Sequence, residues 1–200
     1  MDLRLFFTEL PPASALHALD KRLDALAKSQ EYIDGGRRLW ITHVPETVTR
    51  PFLHPKPFDI LVSPLRFSAS EIEDFRMEIG TEPKRCMICR TYDESHATID
   101  VLFAIAAEIM TRTPALLAIN DKLGRKMFHI HALEPEFPTQ CLDEFPGSVY
   151  EIAHENSEGD LNVEWLVDGR WLKAWLTQKY LQTGQTKTSE NSRFASLDYT

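Results

Sequence analysis

Apolar residues along this 200-residue chain follow two spacings, and the changes between them mark out its elements. LRLFF at 3–7, apolar apart from Arg4, predicts a first strand. Pro11-Pro12 follow where a helix can begin, because a first-turn residue has no intrahelical N–H bond to lose. Leu16, Leu19, Leu23 and Leu26 then draw one apolar stripe along that helix, and Gly35-Gly36 are read as its end. RLWITHV at 38–44, β-branched and aromatic, predicts a strand, and the proline-dotted run from Pro45 to Pro57 a long connection.

FDILVS at 58–63 predicts the next strand. SASEIEDF offers Ser68 with Glu71, or Ser70 with Glu73, as a capping box for a short helix that turns Ile72, Phe75 and Ile79 inward. RCMICRTY at 85–92 reads as a strand. Ile99, Leu102, Phe103, Ala106, Ile109 and Met110 mark the clearest amphipathic helix, broken at Thr113-Pro114. Shorter strands are expected at ALLAIN, KMFHIHAL, SVYEIAHE and LNVEWLVD, the last running into Asp168 as N-cap of a helix that carries Trp171, Leu172, Trp175 and Leu176. Trp171 and Trp175, four apart, are assigned to the core.

These elements predict an α+β fold, a mixed sheet packed by about four helices. Residues 1–182 are expected to form one globular domain, with 1–56 as a possible N-terminal subdomain. From Thr183 the chain turns polar, so 183–200 are read as a flexible tail.

Composition fits a globular domain: 43% of residues are hydrophobic, 26% charged and only 8 are Gly. The most apolar stretch, ATIDVLFAIAAEIM, is interrupted by Asp100 and Glu108, which argues against a membrane span. MDLRLFFTELPP lacks the basic start and sustained apolar run of a secretory signal. Three cysteines, an odd number, fit reduced thiols better than a disulfide framework. The reading is a cytoplasmic protein.

Charge is unevenly distributed along the chain. No Lys or Arg occurs in the 43 positions from Met127 to Gly169, although the chain contains 22. Ten acids lie in that segment: Glu134, Glu136, Asp143, Glu144, Glu151, Glu155, Glu158, Asp160, Glu164 and Asp168. The whole chain carries −8, so the remainder sums to +2. A field of one sign, gathered in one segment, steers partners of the other sign, and it excludes the basic footprint of direct nucleic-acid binding.

Candidate chemistry is thin. Cys86-x-x-Cys89 and His129-x-His131 supply the inventory of a zinc site, but residues three apart on a strand point to opposite faces. A redox CxxC would open a helix, where the thiolate is stabilised. Asp59 with Glu82-Pro83-Lys84 imitates a Mg²⁺ nuclease motif, yet Pro83 resists a central strand. Gly-rich phosphate loops, G-x-S-x-G and H-E-x-x-H do not occur. No catalytic residue, metal or cofactor is assigned; a small metal-dependent hydrolase using Asp59, Glu82, His129 and His131 is the competing expectation.

Within the acidic segment, Phe137, Phe145, Tyr150, Trp165 and Leu166 interleave with the acids. Interfaces reward that mixture, because aromatics anchor while charges select the partner.

PKRCMICRTY, DESHATIDVLFAIAAEIM, PGSVYEIAHE and VDGRWLKAWL together resemble a family of small bacterial proteins grouped as domain of unknown function 6368, over roughly residues 58–177. The chain differs in having Thr113-Pro114 where Gly-Gly follows the helix, and a polar tail where a short basic ending follows the last Trp-Leu. The resemblance implies an immunity protein, not an enzyme, encoded beside a polymorphic or type VI secreted toxin. A toxin that cuts or modifies nucleic acid needs a basic cleft, which an acidic protein can plug. The expected contacts are Glu151, Glu155, Glu158, Asp160 and Glu164, with Phe145, Tyr150 and Trp165 as anchors; on a strand Glu151 and Glu155 share a face. An adaptor or chaperone for a secreted effector is the remaining alternative.

Overall fold

The LRLFF run becomes a strand buried from both sides. In the computed structural model, which describes residues 1–44, 51–63, 69–93, 95–128, 139–155 and 161–179, it forms β1 (Asp2–Phe7). Leu3, Leu5 and Phe7 point into one core and Phe6 into another. The chain continues through α1 (Ala13–Leu26), β2 (Ala27–Ile33), β3 (Gly36–Ile41), β4 (Lys56–Ser63), α2 (Ala69–Ile79), β5 (Arg85–Thr91) and α3 (His96–Arg112). It then forms β6 (Ala115–Asn120), α4 (Asp121–Phe128), a short 3-10 turn (Thr139–Leu142), β7 (Val149–Glu155) and β8 (Leu161–Val167). A last helix, α5, occupies 169–179.

The fold is α+β, and its eight strands lie in one sheet in the order β2-β3-β4-β5-β1-β6-β8-β7. Every pairing is antiparallel, where a mixed sheet was expected. The crossovers explain the difference. β5 and β6 run the same way but leave a gap that β1 fills, and β8 fills the gap between β6 and β7 in the same manner. Strands of residues 1–56 belong to this same sheet, so no separate N-terminal sheet exists among the described residues.

One face of the sheet holds the larger core, where Leu39, Ile41, Phe58, Ile60, Leu117, Ile119 and Val167 meet Leu19, Leu23 and Leu26 of α1. α3 is buried along most of its length, from Ile99 to Met110, which requires the nearly all-round apolar sequence seen there. α5 adds Trp171, Leu172, Trp175 and Leu176, all buried as their spacing predicts. The other face carries a smaller core of Phe6, Cys86, Leu116, Ala118, Ile152 and Leu166 under α2, whose Phe75 meets Phe6 edge-on at 5.5 Å. Among the described residues no helix is long and apolar enough to cross a membrane.

Two sequence expectations fail locally. α1 stops at Leu26, and Gly35-Gly36 belong instead to the β2–β3 hairpin, where Asp34-Gly35 form the turn with Gly35 at φ +76° and Gly36 opens β3. β2 was missed because AKSQEYI is an exposed edge strand with little apolar alternation. Residues 126–128 of KMFHIHAL belong to α4, which buries Leu123 and Met127 one turn apart and is capped by Asn120 Oδ1 accepting the Leu123 N–H at 2.9 Å. Ser68, the Ser70 side chain, His129, His131 and the 183–200 tail lie outside the described residues.

Candidate partner-binding edge

The acidic segment supplies the hairpin that ends the sheet. β7 pairs with β8 over seven consecutive positions, from Val149↔Val167 to Glu155↔Leu161, without a bulge. Among the described residues no strand lies beyond β7. Just before the strand, Ser148 O accepts the Asp168 N–H at 3.2 Å. Main-chain direction alternates along an antiparallel strand, so Tyr150, Ile152 and His154 share that inward direction toward β8. Val149, Glu151, Ala153 and Glu155 therefore aim their N–H and C=O groups away from the sheet.

Val149, Glu151 and Ala153 share one side-chain face, next to Trp165, whose Nε1–H donates to Glu151 Oε2 at 3.2 Å. Glu151 and Ala153 are exposed. Glu155 ends the strand, with its side chain outside the described residues, and Glu158 and Asp160 lie wholly outside them. Asp143 and Glu144 add exposed carboxylates ahead of β7.

Other expected contacts are placed elsewhere. Glu164 points to the opposite face and is ion-paired with Arg4, with 14% of its side chain exposed. Phe145 and Trp165 are core residues, each 8% exposed, and so are not surface anchors. Phe145 meets the Trp171 ring at 5.2 Å and the Phe128 ring at 6.1 Å, so its aromatic surface is used to seat α5. Tyr150 is half-buried beside the smaller core and lines a cleft of about 460 Å³ with Ile79, Met110, Arg170 and Lys173.

A second polar feature was not visible from spacing. Glu31, Arg38, Asp59, Arg90 and Asp2 are successive register partners on β2, β3, β4, β5 and β1, forming a row of alternating charge. Arg38 grips Asp59 with two bonds of 2.6 and 3.0 Å and reaches Glu31 at 3.2 Å. Arg90 holds Asp2 with bonds of 2.8 and 2.7 Å. Tyr92 donates its hydroxyl to Asp59 at 2.6 Å and lies 5.4 Å under the Arg38 guanidinium. Burial pushes the Asp59 carboxyl up, but the bonds from Arg38 and Tyr92 outweigh it and hold the group below the usual carboxylate range. Arg90 likewise lowers Asp2, chiefly through its hydrogen bonds. Each guanidinium is set between two carboxylates, so neighbouring charges along the row are opposite.

This arrangement also ties up the carboxylates considered for metal chemistry. Asp59 is held by Arg38, while Glu82 is shared by Arg76 at 2.9 Å and Lys84 at 2.9 Å. Among the described residues no three His, Cys, Asp or Glu side chains converge as a metal site. Cys86 and Cys89 fall on opposite faces, in the smaller and larger cores respectively. Burial pushes their thiols up, to about 11 and about 12, the reverse of what a reactive pair needs.

No protein-family model, no curated protein and no solved structure matches the chain. The segments that carry the resemblance drawn from sequence are β5, α3, the β7 strand with the residues before it, and α5, all elements of the two cores.

Proposed function

We propose that this protein is a cytoplasmic immunity protein that binds and neutralises an antibacterial toxin, a nuclease effector of a secretion system, without catalysing a reaction. The observation that carries the reading is the place of the segment without Lys or Arg: it ends the sheet in β7, with Glu151 exposed there and Asp143 and Glu144 exposed ahead of it. A nuclease cleft built for a polyanion is basic, and an acidic surface meets it with fast association that salt weakens. Basic residues in 127–169 would repel that partner, which accounts for their absence.

The test is co-expression in bacteria with the product of the adjacent open reading frame. Growth should be rescued, and the two proteins should co-purify at low salt and separate at high salt. Glu151→Lys combined with Glu155→Lys should weaken the complex by about tenfold or more, equivalent to about 1.4 kcal/mol, and flatten its salt dependence. Unchanged affinity and salt response would remove this edge from the interface. An adaptor would also form the complex but leave the toxin active, so growth separates the two roles.

A further inference from the structure

We infer that the outer edge of β7 is a strand-docking site, which takes an extended segment of the partner carrying basic residues at alternating positions. The inference rests on the immunity reading for the partner's identity, and on the sheet geometry for the mode of binding.

The two edges of the sheet differ. At β2 the pairing with β3 is broken by a register shift between Ala27 and Ser29, and Lys28 sits at the irregularity. A bulge and a lysine are the usual means of keeping a foreign strand off an edge. β7 has neither: VYEIAHE contains no Pro and no Lys, and its register is regular from end to end. Its outward N–H and C=O groups form a template for one more strand.

What β7 carries is a filter on its occupant. The acids Glu151 and Glu155 fall on the residues whose main-chain groups face outward. A docked strand would make its hydrogen-bonded pairs with those residues, at the Cα separation of about 5.5 Å typical of such pairs. Lys or Arg four positions apart would then pair in register with Glu151 and Glu155, with the residue between them opposite Ala153. A second copy of β7 would instead set acid in register with acid, Glu151 of each copy against Glu155 of the other. The edge therefore disfavours self-pairing while accepting a basic strand.

The probe is a short peptide of alternating Val and Lys, with a Val and Glu peptide of the same length as control, titrated against the full chain at about 20 and about 300 mM salt. The Lys peptide should bind and weaken with salt, and the Glu peptide should not bind. Amide exchange should slow at Glu151, Ala153 and Glu155 and stay unchanged at Tyr150 and Ile152, which already face β8. Ala153→Pro removes an outward donor and no bond to β8, so melting should shift little while peptide affinity falls about tenfold or more.

Equal binding of both peptides, protection outside β7, or full affinity in a folded Ala153→Pro protein would overturn the inference. So would a dimer that Ala153→Pro dissolves, or outward amides already protected in the free protein and released by deleting 180–200, since either gives the edge a different occupant. Should Ala153→Pro fail to fold, the exchange pattern in the unaltered chain decides. Growth rescue separates this inference from the function it rests on. If the double Lys variant loses rescue and Ala153→Pro keeps it, acidic recognition stands without strand addition. If the adjacent product is not toxic, the immunity reading falls and the peptide result still judges the edge.

Discussion

Asp59 is 2% exposed and its carboxylate accepts two bonds from one guanidinium and one from a phenol, so its loss removes the acceptor of all three. Asp59→Ala should cost about 3 kcal/mol in urea unfolding, near the low end for a broken buried pair because Arg38 retains access to water. Tyr92→Phe, which removes one bond and leaves the ion pair, should cost about 1 kcal/mol. The pH dependence has a definite sign. A carboxyl held below its unfolded value stabilises the fold above that value, about 3.9, and the contribution is lost as pH falls through the folded one. Asp93 behaves alike: the Ser95 backbone N–H and then Lys56 lower it to about 2. Stability should therefore fall from about pH 4 downward, and less steeply in Asp59→Asn. Thiol labelling gives a second check at this scale, since half-buried Cys141 should react in the native protein while Cys86 and Cys89 wait for unfolding. None of the Asp59 pairing was legible in FDILVS, because Arg38 lies 21 residues before it and Tyr92 33 after. The sequence shows an acid on a strand; only the register shows what neutralises it.

Helices and strands with a strong apolar pattern were read correctly, as with β1, α3 and α5, because their burial is written into the sequence. β2 and α4 were misread for the same reason in reverse: an exposed edge has no alternation to detect, and three residues of a short helix look like part of a strand. The ends of elements rest on single residues. Asp168 caps α5 by accepting the Trp171 N–H at 2.9 Å while its other oxygen accepts the Ser148 N–H at 3.1 Å, linking helix to hairpin. Asp168→Ala should cost about 1–2 kcal/mol, read as a lower urea midpoint at unchanged slope. At the β2–β3 turn, a Cβ on Gly36 would fall on the Ile60 carbonyl oxygen and within 2.9 Å of the Leu61 Cα. Because those atoms are backbone of β4, Gly36→Ala should cost about 1–3 kcal/mol.

At the scale of the molecule, the acidic segment was legible as charge but not as geometry. Counting residues located it; that it supplies the last strand of the sheet among the described residues, with Glu151 and Glu155 on the outward-facing positions and Phe145 and Trp165 turned inward, depends on the strand order. The strand order has a further consequence through β1. Removing it would divide the sheet into two groups, β2-β3-β4-β5 and β6-β8-β7, and within each group most neighbours are close in sequence. β1 alone joins them, and its partners begin at Arg85 and Ala115, roughly 80 to 110 residues downstream. The two groups are thus two halves of a seam, and closing it carries the largest loop entropy in the chain. Leu5, fully buried at that seam, should report it: Leu5→Ala should lower stability by about 2–5 kcal/mol and do so by slowing refolding more than by hastening unfolding. During synthesis β1 then emerges well before either of its partners, and a chaperone that shields short apolar segments would have a long interval in which to hold it.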